Sequence, residues 1–470
     1  MGLQGKEGLS REKSRLHSLA MRLREEAIAE YHRLLAADAG ISADLLGELR
    51  EAMRRNRLVY GDRPLGVALR PHFLERKQFE LLAERAELVA AALEKVTGAA
   101  LRNPAMMDEL GLTEAERSLA LVEPGFAGAG ISTRMDGFVH GEEIQFVEYN
   151  AENTSSLSDQ EGLNRLLGAL PEMCAMAQRY ELREFSPVAQ MLETLLDIYR
   201  EWSGRSARPR IAIVDWHDLP TANEFLLLRD YFISRGVPTI ICSPDELEYD
   251  RGKLHCSDFQ IDLAYKRVVI HEFLARFDET HPLLRAYRKG DVCLVNPFRC
   301  KIMHKKASFE WLTDETHQAW FSARERAAIR ASVPWTRRLF ERRTTCWGER
   351  IDLLEFVRQK RARLVIKPND DYGGRGLRLG SRMTDGEWDE AIATALQDDD
   401  VVQEAIDLHT EEFPIFSEES WGFQPMYVDT NPFLFRGKVC GALVRLSESP
   451  VVNVTSGGGE TGFFVLEAKS

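Results

Sequence analysis

Apolar residues recur at helical spacing through two long stretches, SREKSRLHSLAMRLREEAIAEYHRLL (10–35) and FLERKQFELLAERAELVAAALEKV (73–96), which predicts a helical region from residue 10 to about 118. At about 117 the texture changes to short β-like runs, SLALVEP, STRMDGFVH and EIQFVEYN, with the glycine-rich GFAGAG between the first two. A second helical stretch covers about 160–202 and ends in the linker SGRSARPR. From IAIVDW onward strand-like and helix-like segments alternate through EFLLLRDYFISRG, VPTIICS and IDLAYKR, the pattern of a small α/β domain. After residue 300 come a helix (HKKASFEWLTD), a proline-containing loop (SVPWTRR) and a second strand system, LVIKPND, GLRLG, VVQEAI and PFLFRGKVCGALVRLS.

At 470 residues the chain is too long for one simple core, so two or three domains are expected. With 44% hydrophobic and 29% charged residues and no low-complexity tract, it reads as a folded globular protein. The 74 acidic against 61 basic residues leave a net charge of -13, which argues against a nonspecific nucleic-acid binder, because neutralising phosphates needs a basic surface. Seven scattered cysteines without a CxxC pair point to neither a disulfide framework nor a cysteine zinc site and suit a reducing cytoplasm. The first residues lack the apolar core of a signal peptide, Lys6 spoils the myristoylation pattern, and no run approaches the roughly 20 apolar residues of a membrane span. Inside a cell the sequons at Asn153 and Asn453 carry no glycan.

The segment STRMDGFVHGEEIQFVEYNAEN reads as a β-hairpin whose turn is His140-Gly141-Glu142-Glu143. With the turn centred on Glu142, Asp136 lies across from Glu148 and Arg134 across from Asn150, so the four side chains share one face. Hard oxygen ligands without histidine or thiolate suit Mg²⁺, which takes the rest of its shell from water and phosphates. Asp136, Glu148 and Asn150 are therefore the metal candidates, with Arg134 placed to stabilise a transferring phosphoryl group. An E-x-N alone is more often a solvated hairpin than a metal site; the combination R-x-D, turn, E-x-N is what points to a metal.

LVIKPNDDYGGRGLRLG is an apolar strand ending in Lys367, then a loop with Gly373, Gly374 and Gly376, then a returning strand. Glycines let backbone amides approach phosphate while a strand-borne lysine neutralises it, although the same loop alone is also a plain turn. VVQEAI places Gln403 and Glu404 where an adenine edge can be read. Arg445 ends the strand GKVCGALVRL, Asn453 precedes a glycine run as a further candidate ligand, and Lys305 and Lys306 open the helix before WLTDE as alternative cations.

These motifs resemble the ATP-grasp superfamily, in which two α+β subdomains grip ATP between them. The hairpin RMD...VEYNAEN is similar to the R-x-D...E-x-N of the D-alanine ligase branch, LVIKPND to its lysine strand, KKASFEWL to its second ATP-contacting lysine and SVPWTRR to its VP-x-T segment. The resemblance implies that Asp136, Glu148 and Asn150 bind Mg²⁺, that Arg134 supports the acyl-phosphate transition state, and that Lys367 and Lys306, with Lys305 the alternative, contact ATP; on the residue chemistry given above, Gly373, Gly374, Gly376, Gln403 and Glu404 join the ATP site and Arg445 the catalytic groups. The order differs, since the E-x-N hairpin precedes the lysine strands here by some 200 residues. That order resembles the circularly permuted ATP-grasp proteins related to glutathionylspermidine synthase.

The implied fold class is α+β / α/β: a circularly permuted ATP-grasp fold with a pre-ATP-grasp α/β domain and a helical N-terminal region. The implied layout has a helical region over 1–125, a permuted segment with the metal hairpin over 126–165, the pre-ATP-grasp domain over 206–300, with Lys266 and Arg267 near the cleft, and the nucleotide-binding subdomains over 301–470. The implied activity is an ATP-dependent, Mg²⁺-dependent carboxylate-amine ligase working through an acyl phosphate. Its partners would be a small-molecule or peptide carboxylate and an amine, with neither nucleic acid nor membrane, in a cytoplasmic protein for which a homodimer is not forbidden. A small-molecule kinase on the same site and an inactive nucleotide-binding regulator are the alternatives.

Overall fold

The computed structural model describes residues 23–38 and 40–469; the start of the first predicted helix, and Lys6, lie outside them. Helices cover 23–37, Ala43–Arg55, Arg76–Arg102, Pro104–Glu109 and Glu114–Ala120. The N-terminal region is nevertheless not wholly helical. Residues 56–75 contain a small hairpin, Val59–Tyr60 with Arg63–Pro64, and a buried strand, His72–Glu75. The run SLALVEP, expected to be β, instead puts its first three residues in the helix Glu114–Ala120 and the rest in the turn that follows. The Thr113 hydroxyl accepts from Glu116 N while Glu116 Oε2 accepts from Thr113 N, a reciprocal cap that starts a helix despite the apolar run behind it. SVPWTRR, expected to be a loop, supplies the strand Thr336–Arg338.

Three sheets surround the future site. The largest is antiparallel and six-stranded, running Gly459–Thr461, Lys438–Ser447, Trp421–Phe435, Ser132–His140 and Glu143–Asn150, with Thr410–Phe416 paired to the first half of Trp421–Phe435. Phe433 pairs with Arg134 and Phe435 with Ser132, so segments far apart in sequence share this sheet. A second antiparallel sheet runs Thr336–Arg338, Val401–Glu404, Leu364–Lys367 and Arg378–Leu379, its apolar face covered by helices Leu353–Gln359 and Asp385–Asp398 through Trp388, Val357, Ile392 and Ile366. A third, fully parallel, runs Cys293–Val295, Leu263–Lys266, Ile211–Val214 and Thr239–Cys242. Strands Ile211–Val214 and Cys293–Val295 are apolar and buried along their whole length, as expected where a parallel sheet is covered on both faces.

The helix Arg76–Arg102 buries Phe79, Leu82, Ala86, Val89, Leu93, Val96 and Ala100 at three- and four-residue spacing and packs on the six-stranded sheet. Met135, Ile144, Phe146 and Tyr149 of the hairpin join the same core. Asp136 pairs with Glu148 and Arg134 with Asn150, the expected opposition, but the turn is centred between Gly141 and Glu142 rather than on Glu142. Gly137 pairs with Phe146, so Val147 is an extra residue without a partner, a β-bulge. The bulge switches the alternation of the strand. Ile144 and Phe146 face the core, and Glu148 and Asn150, which strict alternation would also send there, turn to the opposite face.

Gly137 sits directly beside this bulge. A Cβ there would lie 2.9 Å from a ring carbon of the buried Phe146 and 3.4 Å from Thr430 O. Gly137→Ala is therefore expected to destabilise the protein by ~1–3 kcal/mol through overpacking, read as a lower denaturant midpoint.

Candidate functional site

A cavity of about 650 Å³ opens between the three sheets. The hairpin supplies one wall with Arg134, Asp136, Glu148 and Asn150, and the neighbouring strands add Asp429 and Arg445. Asp136 is the hub of that wall. Its Oδ1 accepts from Arg134 Nε and Asn150 Nδ2, each at 2.9 Å, and its Oδ2 accepts from Arg445 Nη2 at 2.7 Å. Burial alone would push the Asp136 carboxyl up, but the guanidinium groups of Arg134 and Arg445 outweigh it and hold the group well below the usual carboxylate range. Arg445 in turn donates to Asp429 Oδ2 at 2.5 Å, and Asp429 accepts from Asn431 Nδ2 at 2.7 Å.

The donor chemistry of this wall suits a hard divalent cation. Glu148 is a carboxylate on the cavity, its nearest charge Lys306 Nζ at 3.5 Å. Asn150 donates to Asp136 through its nitrogen, which leaves its amide oxygen as the ligand end. Asp136, with both oxygens already hydrogen-bonded, neutralises two arginines.

Opposite stand the two lysines. Lys367, at the end of Leu364–Lys367, donates to Val147 O at 3.2 Å and to Gln403 Oε1 at 2.6 Å. The first acceptor is the carbonyl of the bulged residue. Gln403 also donates to Thr336 Oγ1 at 2.9 Å and is 2% exposed, so its side chain is committed to placing Lys367 rather than being free to read a base. Glu404 lines the cavity and accepts from Arg363 at 3.3 Å.

Lys306 faces the cavity, donating to Asp371 O at 2.5 Å. Lys305 does not line it: its ammonium binds Asp370 at 2.7 Å and lies 3.5 Å from Glu116. Lys301 holds the other oxygen of Asp370 at 2.6 Å and Glu152 at 2.8 Å, so the stem of the glycine-rich loop is pinned by buried ion pairs. Gly373 and Gly374 line the cavity with φ of +73° and +72°, a left-handed backbone that glycine adopts without strain. Gly376 stands outside the lining and closes the loop against Pro368. Asn453 lines the cavity near Gly373, and Arg267 lines it too. Lys266 does not: it is buried, its Nζ 3.4 Å from Val268 O.

No protein-family model matches the chain, and no curated protein does. Among solved structures it is similar to a glutathione synthetase-like effector from Globodera pallida, with a TM-score of 0.58 over 95% of this chain and 97% of that one, at 13% identity. The chain shares the fold of that effector. More distant are a putative γ-glutamylcysteine synthetase from Methylobacillus flagellatus, with a TM-score of 0.40, 10% identity and coverage of 82% of this chain and 86% of that one, and a RimK domain ATP-grasp protein from Sphaerobacter thermophilus, with a TM-score of 0.25, 15% identity and coverage of 50% and 90%.

In this fold the cavity also gathers residues that sequence reasoning did not single out: Asp159, Asp215, Glu224, Asp429 and Glu460. Asp429 had a signal, since a charge inside the apolar strand PMYVDTNPFLF, matched by Arg445 across the hairpin, is costly unless paired. The others come together from separate elements and leave no local pattern.

Burial pushes the Lys367 ammonium down to about 8, and Lys306 pushes the same way against the opposing pull of Glu148 and Asp136. The charged form, which attracts phosphate, is therefore lost as pH rises through about 8. ADP affinity is expected to fall across that range, and calorimetry on Lys367→Ala should show weaker binding at neutral pH with that pH step removed.

Proposed function

We propose that this protein is an ATP-dependent ligase that activates a carboxylate as an acyl phosphate and joins it to an amine. The observation that carries the reading is convergence. The R-x-D and E-x-N residues precede Lys306, Lys367, Gly373 and Gly374 by more than about 150 residues in the chain, yet they all line one cavity. Cations and glycine amides on one wall facing carboxylates on the other form the arrangement that a nucleotide triphosphate with its metal requires.

Lys306, Lys367 and the glycine loop hold the phosphates, and Arg134 and Arg445 offset the charge that develops as the γ-phosphoryl group moves. Glu148, Asn150 and Asp136 would hold Mg²⁺, which supplies charge neutralisation between phosphates. The substrate carboxylate attacks the γ-phosphorus, the bond to the bridging oxygen breaks and ADP departs. The amine nitrogen then attacks the acyl carbon, inorganic phosphate leaves, and the nitrogen gives up a proton. Enclosure between three sheets shields the acyl phosphate from water.

The permuted order draws support from the main sheet. Strand Trp421–Phe435 is bonded directly to Ser132–His140, so the hairpin stands beside the strands it would follow in an unpermuted chain. On this reading residues 126–165 and 301–470 build one ATP-grasp unit, and residues 206–300 add the pre-ATP-grasp domain with Arg267 at the cleft. Among the described residues no helix is long and apolar enough to cross a membrane.

The test is ADP release from MgATP in the presence of pooled small carboxylates, amino acids, and di- and polyamines. Release that requires a carboxylate and an amine together is expected; release with one substrate alone indicates a kinase, and binding without turnover a regulator. Glu148→Gln should lower turnover on the order of 100-fold or more without unfolding the protein, because it removes a cavity charge and leaves the packing alone. Normal turnover in that variant would sink the metal assignment.

A further inference from the structure

Beyond the wall of Arg134 and Asp136, one end of the cavity is built from carboxylates. Asp159 and Glu224 are 8% and 2% exposed, Glu460 is 1% exposed, and all three line the cavity. Arg134 and Arg445 are bonded to Asp136 and Asp429 and act on this cluster only from a distance, so among the described residues Arg267 is the guanidinium that acts most directly on Asp159, Asp215 and Glu224. Arg267 meets Glu224 at 3.5 Å, while burial holds Asp159, Asp215, Glu224 and Glu460 all above the usual carboxylate range, so this end is a crowd of carboxyl groups that a bound cation would relieve.

One atom there points to a missing partner. Glu460 Oε1 accepts from Ser156 Oγ at 3.0 Å, whereas its Oε2 is buried without any hydrogen-bond donor. A buried carboxylate oxygen left bare costs free energy that a bound donor recovers. Burial raises Glu460 to about 7, with Ser156, Arg445 and Arg134 pulling it down and Glu224 pushing it up. The spacing argues for an organic cation over a metal ion. Among the described residues the group that brings three such ligand atoms within 4.8 Å of one another is Glu152, His304 and Asp370, with Lys301 already among them, and not Asp159, Glu224 and Glu460.

The position is also suited to the chemistry. Ser155 O accepts from Arg134 at 3.3 Å, and the next residue, Ser156, holds Glu460. Two consecutive residues thus link the arginine assigned to phosphoryl transfer with the bare carboxylate.

We propose that Glu460, backed by Asp159 and Glu224, is the subsite that takes the ammonium group of the amine partner. This rests on the ligase reading for its role, although binding itself can be measured without turnover.

Calorimetry on the full chain at pH 8 and low salt, with methylamine, butylamine and 1,4-diaminobutane as ammonium probes and butan-1-ol as the uncharged control, tests it. At least one ammonium probe should bind, butan-1-ol should not, and Glu460→Gln and Asp159→Asn should each weaken that probe by about tenfold or more. ADP titrated into the same samples should bind all three proteins alike, which also checks that the variants fold. Failure of every ammonium probe, equal affinity in wild type and Glu460→Gln, or displacement of the probe by MgCl₂ would each overturn the subsite. Absence of ADP binding in the wild type would instead count against the ligase reading and leave the subsite to stand or fall on the amine data.

Discussion

The unpaired residue Val147 decides the geometry of the cavity. Without it, Ile144, Phe146, Glu148 and Asn150 would all project from one side of the strand, and two polar side chains would be driven into the core beneath the helix Arg76–Arg102. One inserted residue lets a single strand serve an apolar interior before the bulge and a polar cavity after it. The carbonyl that leaves the ladder there is put to use, because Lys367 donates to it from the opposing sheet. A local irregularity therefore both aims Glu148 and Asn150 into the cavity and ties the two walls together.

Around that point the charges are arranged in alternation. Arg134, Asp136, Arg445 and Asp429 form a chain of paired opposite charges, and Asn431 closes it by donating to Asp429 and accepting from Gly137 N, beside the bulge. Burying so many ions is costly unless each is matched and hydrogen-bonded. Matching here fixes the guanidinium planes of Arg134 and Arg445 in place at the cavity wall.

The hairpin was legible because its chemistry is local: R-x-D and E-x-N lie on adjacent strands joined by a short turn, and strand alternation puts them together. The pairing of Asp136 with Glu148 was expected from a turn at Glu142, yet it arises from a turn half a residue earlier and a compensating bulge. Lys367 and the glycine loop were legible for the same local reason. Which of Lys305 and Lys306 reaches the cavity depends on the partner of each, Asp370 or Glu148, and no spacing rule encodes that. Gln403 shows the limit from the other side, because its position on the strand was evident while its engagement with Lys367 and Thr336 depends on two neighbouring strands. The strand His72–Glu75 was hidden because it gains its pairing from Phe463–Ala468, nearly 400 residues later.

The pairing of Arg134 with Phe433 joins residues about 300 positions apart. At translation rates of roughly 5–20 residues per second, the hairpin emerges on the order of 15–60 seconds before the strand that completes its sheet. During that interval its edge, with unpaired N–H and C=O groups and an apolar face, is open to any passing strand. The long connection that assembles the cavity thus makes slow, late folding and a need for protection during synthesis part of the architecture.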